Sequence, residues 1–198
     1  MSSHPDRTAK SAIMRCTGKA GPRIAVALFF LAALPGPVAA AVDCDALHAA
    51  QLRAVLDLDY QQFDQTPGRG FRVLAEARCP RQAADLIETW IAHTGETRSS
   101  PRWHVAQLRG EAGQIQAART AARASLRADE AADAPFRWNA HVRAYIAFLD
   151  GDRSAFDAAL AEMEGASDAH PGNGINAGFW RRLQAHFELG YAAAVAAD

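Results

Sequence analysis

Histidine, serine and cysteine are the side chains of this chain that could act in catalysis or bind a metal. Their spacing argues against most such roles. The chain has seven histidines, none in the H-E-x-x-H spacing of zinc enzymes, and no C-x-x-C pair. Ser99 and Ser100 lack the G-x-S-x-G context of an activated nucleophile. Ser100 instead precedes Pro101, a pattern typical of a helix cap followed by an N1 proline. We therefore predict no catalytic residue, no metal site and no cofactor, and the protein is not expected to be an enzyme.

Two other patterns could serve recognition rather than catalysis. Arg119, Arg123 and Arg127 recur every four residues, so a helix would place them on one face that could receive an acidic partner or a glycan. We interpret them as an exposed face paired with nearby carboxylates, because such charge runs are usually solvated. Trp138 and Tyr145 could line a groove, but aromatic side chains at helical spacing are typical of a core.

Residues 1–41 have the pattern of a secretory signal peptide. A basic segment precedes residues 24–34, an unbroken apolar run of 11 residues, and small residues follow it. Because crossing a bilayer takes about 20 apolar residues, this run predicts cleavage and no stable membrane anchor afterwards. We predict cleavage after Ala40 or Ala41, and Met14 offers an alternative start. The predicted location is the periplasm or the exterior of a Gram-negative bacterium.

The charge of residues 42–198 argues against nucleic-acid binding. This part has 16 arginines, no lysine and 21 aspartates and glutamates, so its net charge is about −5. Nucleic-acid binding usually needs clustered positive charge.

Residues 42–198 contain two cysteines, Cys44 and Cys79. An even pair in an oxidising compartment predicts a disulfide. The alternative is two buried free thiols.

Apolar residues at helical spacing predict an all-α domain over residues 42–198, with about seven to nine helices and no strand. The first helix is expected to reach about Phe63, and Pro135 is expected to open a later one. The glycines and proline of residues 170–174 predict a loop. Three turns, at residues 79–84, 113–118 and 151–156, each break one helix and start another.

These turns are 34 and 38 residues apart, close to the period of tetratricopeptide repeats. Residues 52–163 accordingly resemble three tetratricopeptide-like hairpins. The segments FDQTPGRGFRVLAEA, RWNAHVRAYIAFL and FELGYAAAV are also similar to parts of exported proteobacterial helical-repeat proteins. The resemblance implies an α-solenoid of stacked antiparallel hairpins in one domain.

The tetratricopeptide resemblance also implies where a partner would bind. In such stacks the first helix of each hairpin lines the concave side, which here corresponds to residues 101–112 and 135–149. Polar side chains of these helices outside the apolar stripe are then the candidate partner-binding residues: His104, Arg109, Asn139 and Arg143.

Three functions remain open from the sequence. Stacked helical hairpins commonly bind proteins or peptides, so a protein or peptide partner is the first expectation. The second is an accessory domain that binds cell-wall glycan strands through aromatic and arginine side chains. The third is an enzyme whose site is assembled from residues distant in sequence.

Overall fold

The computed structural model describes residues 42–198, so the predicted signal peptide lies outside the described residues. Within 42–198 the chain is all-helical, without a strand, as predicted. One π-helical turn spans Gln61–Gln65 and one 3₁₀ turn spans Phe187–Leu189. The α-helices of this part are α1 (Cys44–Val55), α2 (Arg72–Glu76), α3 (Pro80–Thr94), α4 (Ser99–Glu111), α5 (Ile115–Ala124), α6 (Trp138–Asp150), α7 (Arg153–Gly165), α8 (Pro171–Gln184) and α9 (Tyr191–Ala197).

The three predicted turns occur where expected. They separate α2 from α3, α4 from α5, and α6 from α7. Gly113 and Gly151 adopt φ of 73° and 68°, a left-handed conformation that glycine takes without steric cost. Consecutive helices from α3 to α8 pack against one another along the chain. The result is a row of helical hairpins in packed layers.

A disulfide joins Cys44 to Cys79, with their Cα atoms 5.5 Å apart, so the predicted pairing is confirmed. The bond fastens the start of α1 to the turn before α3. Asp45 adds hydrogen bonds from Gln82 Nε2 at 2.7 Å and from the Arg81 guanidinium at 3.1 Å. The amino-terminal helix is therefore held at one end by a covalent bond and by polar contacts.

Helix α4 lies between two hydrophobic clusters. Val105 and Leu108 belong to the cluster built with α1, the π-helical turn, α2 and α3. Trp103 and Ala106 belong to the cluster built with α5 to α9. Because these four residues point to opposite sides of one helix, α4 is the element through which the two halves share a core.

The contact of α6 and α9 with α4 depends on a residue without a side chain. Tyr145 Oη donates a 2.6 Å hydrogen bond to the Ala106 carbonyl, one turn before Gly110. A Cβ on Gly110 would lie 2.1 Å from Tyr145 Oη and 2.8 Å from the Tyr191 ring. Glycine at this position is what allows both tyrosines to approach the α4 backbone.

Residues 170–174 do not form the predicted loop, because α8 begins at Pro171 and runs through them. His170 Nδ1 caps the helix by accepting from the Gly172 N–H at 3.0 Å. The fully buried Asn173 accepts from the Arg137 N–H and donates to the carbonyls of Pro135 and Ala166, each at 2.8 Å. These tertiary hydrogen bonds outweigh the low helix propensity of the glycines.

Three predicted helix boundaries are wrong. The first helix ends at Val55. Helical structure resumes with the π-helical turn, before which Asp59 Oδ1 accepts a hydrogen bond from the Gln62 N–H at 2.8 Å. Helix α6 begins at Trp138 rather than at Pro135. Helix α4 begins one residue before Ser100, whose hydroxyl is not a cap.

The Ser100 hydroxyl belongs to a polar cluster inside the amino-terminal half. It bonds the Tyr60 hydroxyl at 2.8 Å and donates to Asp64 Oδ2 at 3.4 Å. Asp64 is fully buried and also accepts from Gln65 Nε2. The cluster holds the π-helical turn against the start of α4.

Candidate ligand-binding groove

The four candidate partner-binding residues do not share a surface. On α4, the His104 ring packs 5.0 Å from the Phe71 ring, and its Nε2 lies 3.5 Å from Asp64 Oδ1. Burial lowers the pKa of His104, and Asp64 opposes that shift. Arg109 is buried and forms ion pairs with Asp85 at 2.7 Å and Glu88 at 2.6 Å. Both α4 side chains therefore hold the amino-terminal half together.

The two candidates on α6 are also engaged within the chain. Asn139 exchanges two 2.8 Å hydrogen bonds with the Arg127 backbone, and its own N–H donates to Glu130. Arg143 pairs with Glu162 of α7 at 2.6 Å. The expectation that the four side chains face one groove is therefore corrected, since each contacts a different neighbour. In packed layers of helices, a residue beside the apolar stripe of one helix can face a flanking helix instead of solvent.

A groove lies between helices α4, α6 and α8. It is open to solvent and has a volume of about 580 Å³, within the usual range for ligand sites. We call it the α4–α6–α8 groove. Its lining residues are Trp103, Gln107, His141, Gly174, Ile175, Asn176, Gly178, Phe179 and Arg182.

His141 supplies a fixed hydrogen-bond donor to this groove. His141 as a whole is 6% exposed to solvent, and its Nδ1 accepts a hydrogen bond from Trp180 Nε1 at 2.9 Å. Burial lowers the pKa of His141 to about 4, so the ring is neutral at pH 7. With Nδ1 occupied as an acceptor, the ring proton resides on Nε2, which bonds no described residue. The groove thus contains an N–H donor that has no partner within residues 42–198.

Aromatic packing fixes the position of that donor. The Trp103 ring lies 4.6 Å from the His141 ring and 5.2 Å from the Tyr145 ring. Trp138 and Trp180 contact His141 from other directions, at 6.3 Å and 5.7 Å. Because these rings belong to α4, α6 and α8, the wall of the groove is also part of the carboxy-terminal core.

Two glycines on α8 keep the groove open. Gly174 and Gly178 are four residues apart, so they lie on one face of the helix and both line the cavity. A Cβ built on Gly178 would meet nothing within 4 Å, and one on Gly174 would meet only Ser167 at 3.8 Å. Glycine within a helix costs roughly 0.5–1 kcal/mol relative to alanine, so the open space comes at a cost in stability.

The rim of the groove carries apolar and cationic side chains along one face of α8. Ile175 is 72% exposed at the rim, with Phe179 one turn further along α8. Arg182 follows, and its Nε donates to both carboxylate oxygens of Asp198 at 3.0 and 3.1 Å. The amides of Gln107 and Asn176 complete the polar lining. No carboxylate is among the described residues that line the cavity.

The described lining of the groove offers hydrogen-bond donors and acceptors, apolar surface and one cation. The lining has no serine, threonine or cysteine that could act as a nucleophile, and its histidine has one ring nitrogen occupied by Trp180. Across residues 42–198, no three histidine, cysteine, aspartate or glutamate side chains are grouped to hold a metal ion. No helix of the described part is long and apolar enough to cross a membrane.

Sequence reasoning missed the groove because its residues appeared to have other roles. In the sequence, His141 belongs to no metal-binding or catalytic motif, and the aromatic stripe of α6 predicts core residues, which Trp138 and Tyr145 are. The glycines of α8 were divided between a loop and a helix. Their G-x-x-x-G spacing, extending from 174 to 178, was the pattern that could have indicated a helix face without side chains.

Comparison with protein-family models, curated proteins and solved structures finds no match to this chain. The function must therefore be inferred from the residues of the groove.

Proposed function

We propose that this protein is a non-enzymatic, exported, tetratricopeptide-like helical-repeat protein that binds a protein or peptide segment in the α4–α6–α8 groove. The observation that carries the proposal is the unpartnered Nε2–H of the buried His141 at a cavity of about 580 Å³. This N–H faces the groove, and a peptide carbonyl that enters the groove would accept a hydrogen bond from it.

The position of the groove supports a peptide as the ligand. Two of the helices that line it, α4 and α6, would be first helices of hairpins in a tetratricopeptide-like arrangement and would then lie on its concave side. Ile175 and Phe179 offer apolar contacts beside the amides of Gln107 and Asn176. Peptides present the same mixture, since apolar side chains alternate with backbone donors and acceptors. A cell-wall glycan remains the alternative occupant.

Gly178→Leu tests the proposal because it fills the groove without a clash. The new side chain enters space in which a Cβ meets nothing within 4 Å. Peptides selected from a random 12-residue display library on the wild-type protein should bind the variant at least about tenfold more weakly, a difference of about 1.4 kcal/mol. Affinities can be measured by calorimetry, with peptidoglycan fragments titrated in parallel.

Gly165→Leu is the matched control. Gly165 ends α7 away from the groove, and a Cβ there also meets nothing within 4 Å. This variant should bind selected peptides like the wild type. The Gly178→Leu protein should melt no lower than the wild type, because it replaces a helical glycine. Equal peptide binding by both variants, or glycan binding without any selected peptide, would refute the proposal.

Export is tested by the mature amino terminus. The protein recovered from periplasm should begin at Ala41 or Val42, because signal peptidase cleaves after small residues of the kind found there. Amino-terminal sequencing of the purified protein measures this directly. Intact chain confined to the cytoplasm would contradict export.

A further inference from the structure

We infer that the α4–α6–α8 groove recognises a carboxylate beside an apolar group, with Arg182 as the cation that receives it. The inference rests on the proposed function and specifies the chemistry of the ligand. Among the groove-lining residues that the structure describes, Arg182 is the one cation, and none is acidic. Among the lining residues a negatively charged ligand group therefore meets one attractive charge, and the carboxylate with which it competes is that of Asp198, which pairs with Arg182 from outside the lining.

A carboxylate already occupies this position. Both side-chain oxygens of Asp198 accept from Arg182 Nε, which shows that the guanidinium is oriented to receive such a group. The side chains of Arg182 and Asp198 are 58% and 23% exposed, so solvent reaches the pair and reduces its contribution to stability. A ligand carboxylate could therefore displace Asp198 at a small cost.

The remaining groups define what accompanies the carboxylate. The Nε2–H of His141 donates, so the adjoining part of the ligand should present a hydrogen-bond acceptor. Trp103, Ile175 and Phe179 provide the apolar surface. An aliphatic amino-acid residue with a free carboxylate and an acyl carbonyl combines all three features. Both a peptide carboxy terminus and an acidic side chain next to an apolar one supply this chemistry.

A pair of small ligands tests the contribution of the carboxylate separately from that of the other ligand groups. N-acetylleucine and N-acetylleucinamide differ in that group alone, and the indole N–H resonance of Trp180 reports on His141 at the groove. Titration should give a dissociation constant about tenfold lower for the carboxylate than for the amide. Asp198→Asn removes the competing carboxylate and should tighten N-acetylleucine binding by about two- to threefold.

Arg182→Gln should abolish the difference between the two probes. Arg181→Gln is the matched control, since Arg181 is adjacent in sequence but pairs with Glu164 and does not line the groove. It should retain the preference for the carboxylate. Two sets of longer peptides then distinguish the two sources of the carboxylate. One set carries an internal aspartate, and the other ends in leucine with a free carboxy terminus.

Equal affinity of the two probes for the wild type would overturn the carboxylate inference and leave groove binding intact. Failure of N-acetylleucine to shift the Trp180 resonance would also overturn it. Loss of the preference in Arg181→Gln as well as Arg182→Gln would assign the effect to net charge and overturn the role of Arg182. The Gly178→Leu comparison decides the proposed function independently of these outcomes.

Discussion

Reduction of the Cys44–Cys79 disulfide should lower the free energy of unfolding by roughly 3–4 kcal/mol. The bond joins residues 35 apart in sequence, and a cross-link of this span removes much conformational entropy from the unfolded chain. The measurement is urea-induced unfolding at pH 7 with and without reductant. Alkylation after denaturation should label both cysteines only when reductant is present.

Cys44→Ala separates the bond from other effects of reductant. Cys44 is only half-buried, whereas Cys79 is 1% exposed in the amino-terminal core, so removing the Cys44 thiol disturbs the packing less. The variant should unfold like the reduced wild type and should not respond to reductant. A wild-type midpoint that is the same in both conditions would show that the bond contributes no stability.

Acidification should destabilise the protein through His141 by up to about 3 kcal/mol between pH 6.5 and pH 4. The pKa of this histidine is lowered by burial from 6.5 to about 4 in the folded protein. Between these values the unfolded chain binds a proton that the folded chain excludes, so stability falls as the pH falls through this window. Above pH 6.5 the effect is absent because the ring is neutral in both states.

His141→Gln tests this assignment, because the pH dependence of its unfolding free energy can be compared with that of the wild type. The glutamine carbonyl can accept from Trp180 Nε1 in place of Nδ1, but it does not titrate. The unfolding free energy of the variant should depend on pH less steeply than that of the wild type. The difference in slope should correspond to the uptake of up to one fewer proton on unfolding in this pH range. His93→Gln changes an exposed histidine of α3 and should keep the wild-type slope. Identical slopes for all three proteins would contradict the assignment to His141.

The helical class, the three turns and the disulfide could be predicted because local patterns determine them. Apolar spacing, a glycine after a helix and an even cysteine pair need no knowledge of distant residues. Gly113 and Gly151 are examples, since their left-handed conformations follow from the turns themselves. Cys44 and Cys79 are the only cysteines of the described part, so one pairing was available.

The groove could not be predicted because distant contacts determine it. Helix α8 passes through Gly172 and Gly174 only because the buried Asn173 bonds the segment before α6. Arg109 resembles an exposed arginine in sequence, but Asp85 and Glu88 of α3 hold it inside. Local periodicity identifies the apolar face of each helix, but it does not identify which helix covers the remaining faces.

The contact of α9 with α4 has a consequence for the order in which the chain folds. In an ideal repeat array each unit meets only its neighbours, so folding can propagate from any position. Here Tyr191 packs beside Gly110, which lies about 80 residues earlier, so this closure carries a larger loop entropy than the hairpin turns. Because synthesis proceeds from the amino terminus, α9 is made after helices α1 to α8. The face of α4 that Tyr191 covers therefore stays open until α9 has been made, and during this interval its apolar surface is exposed to aggregation.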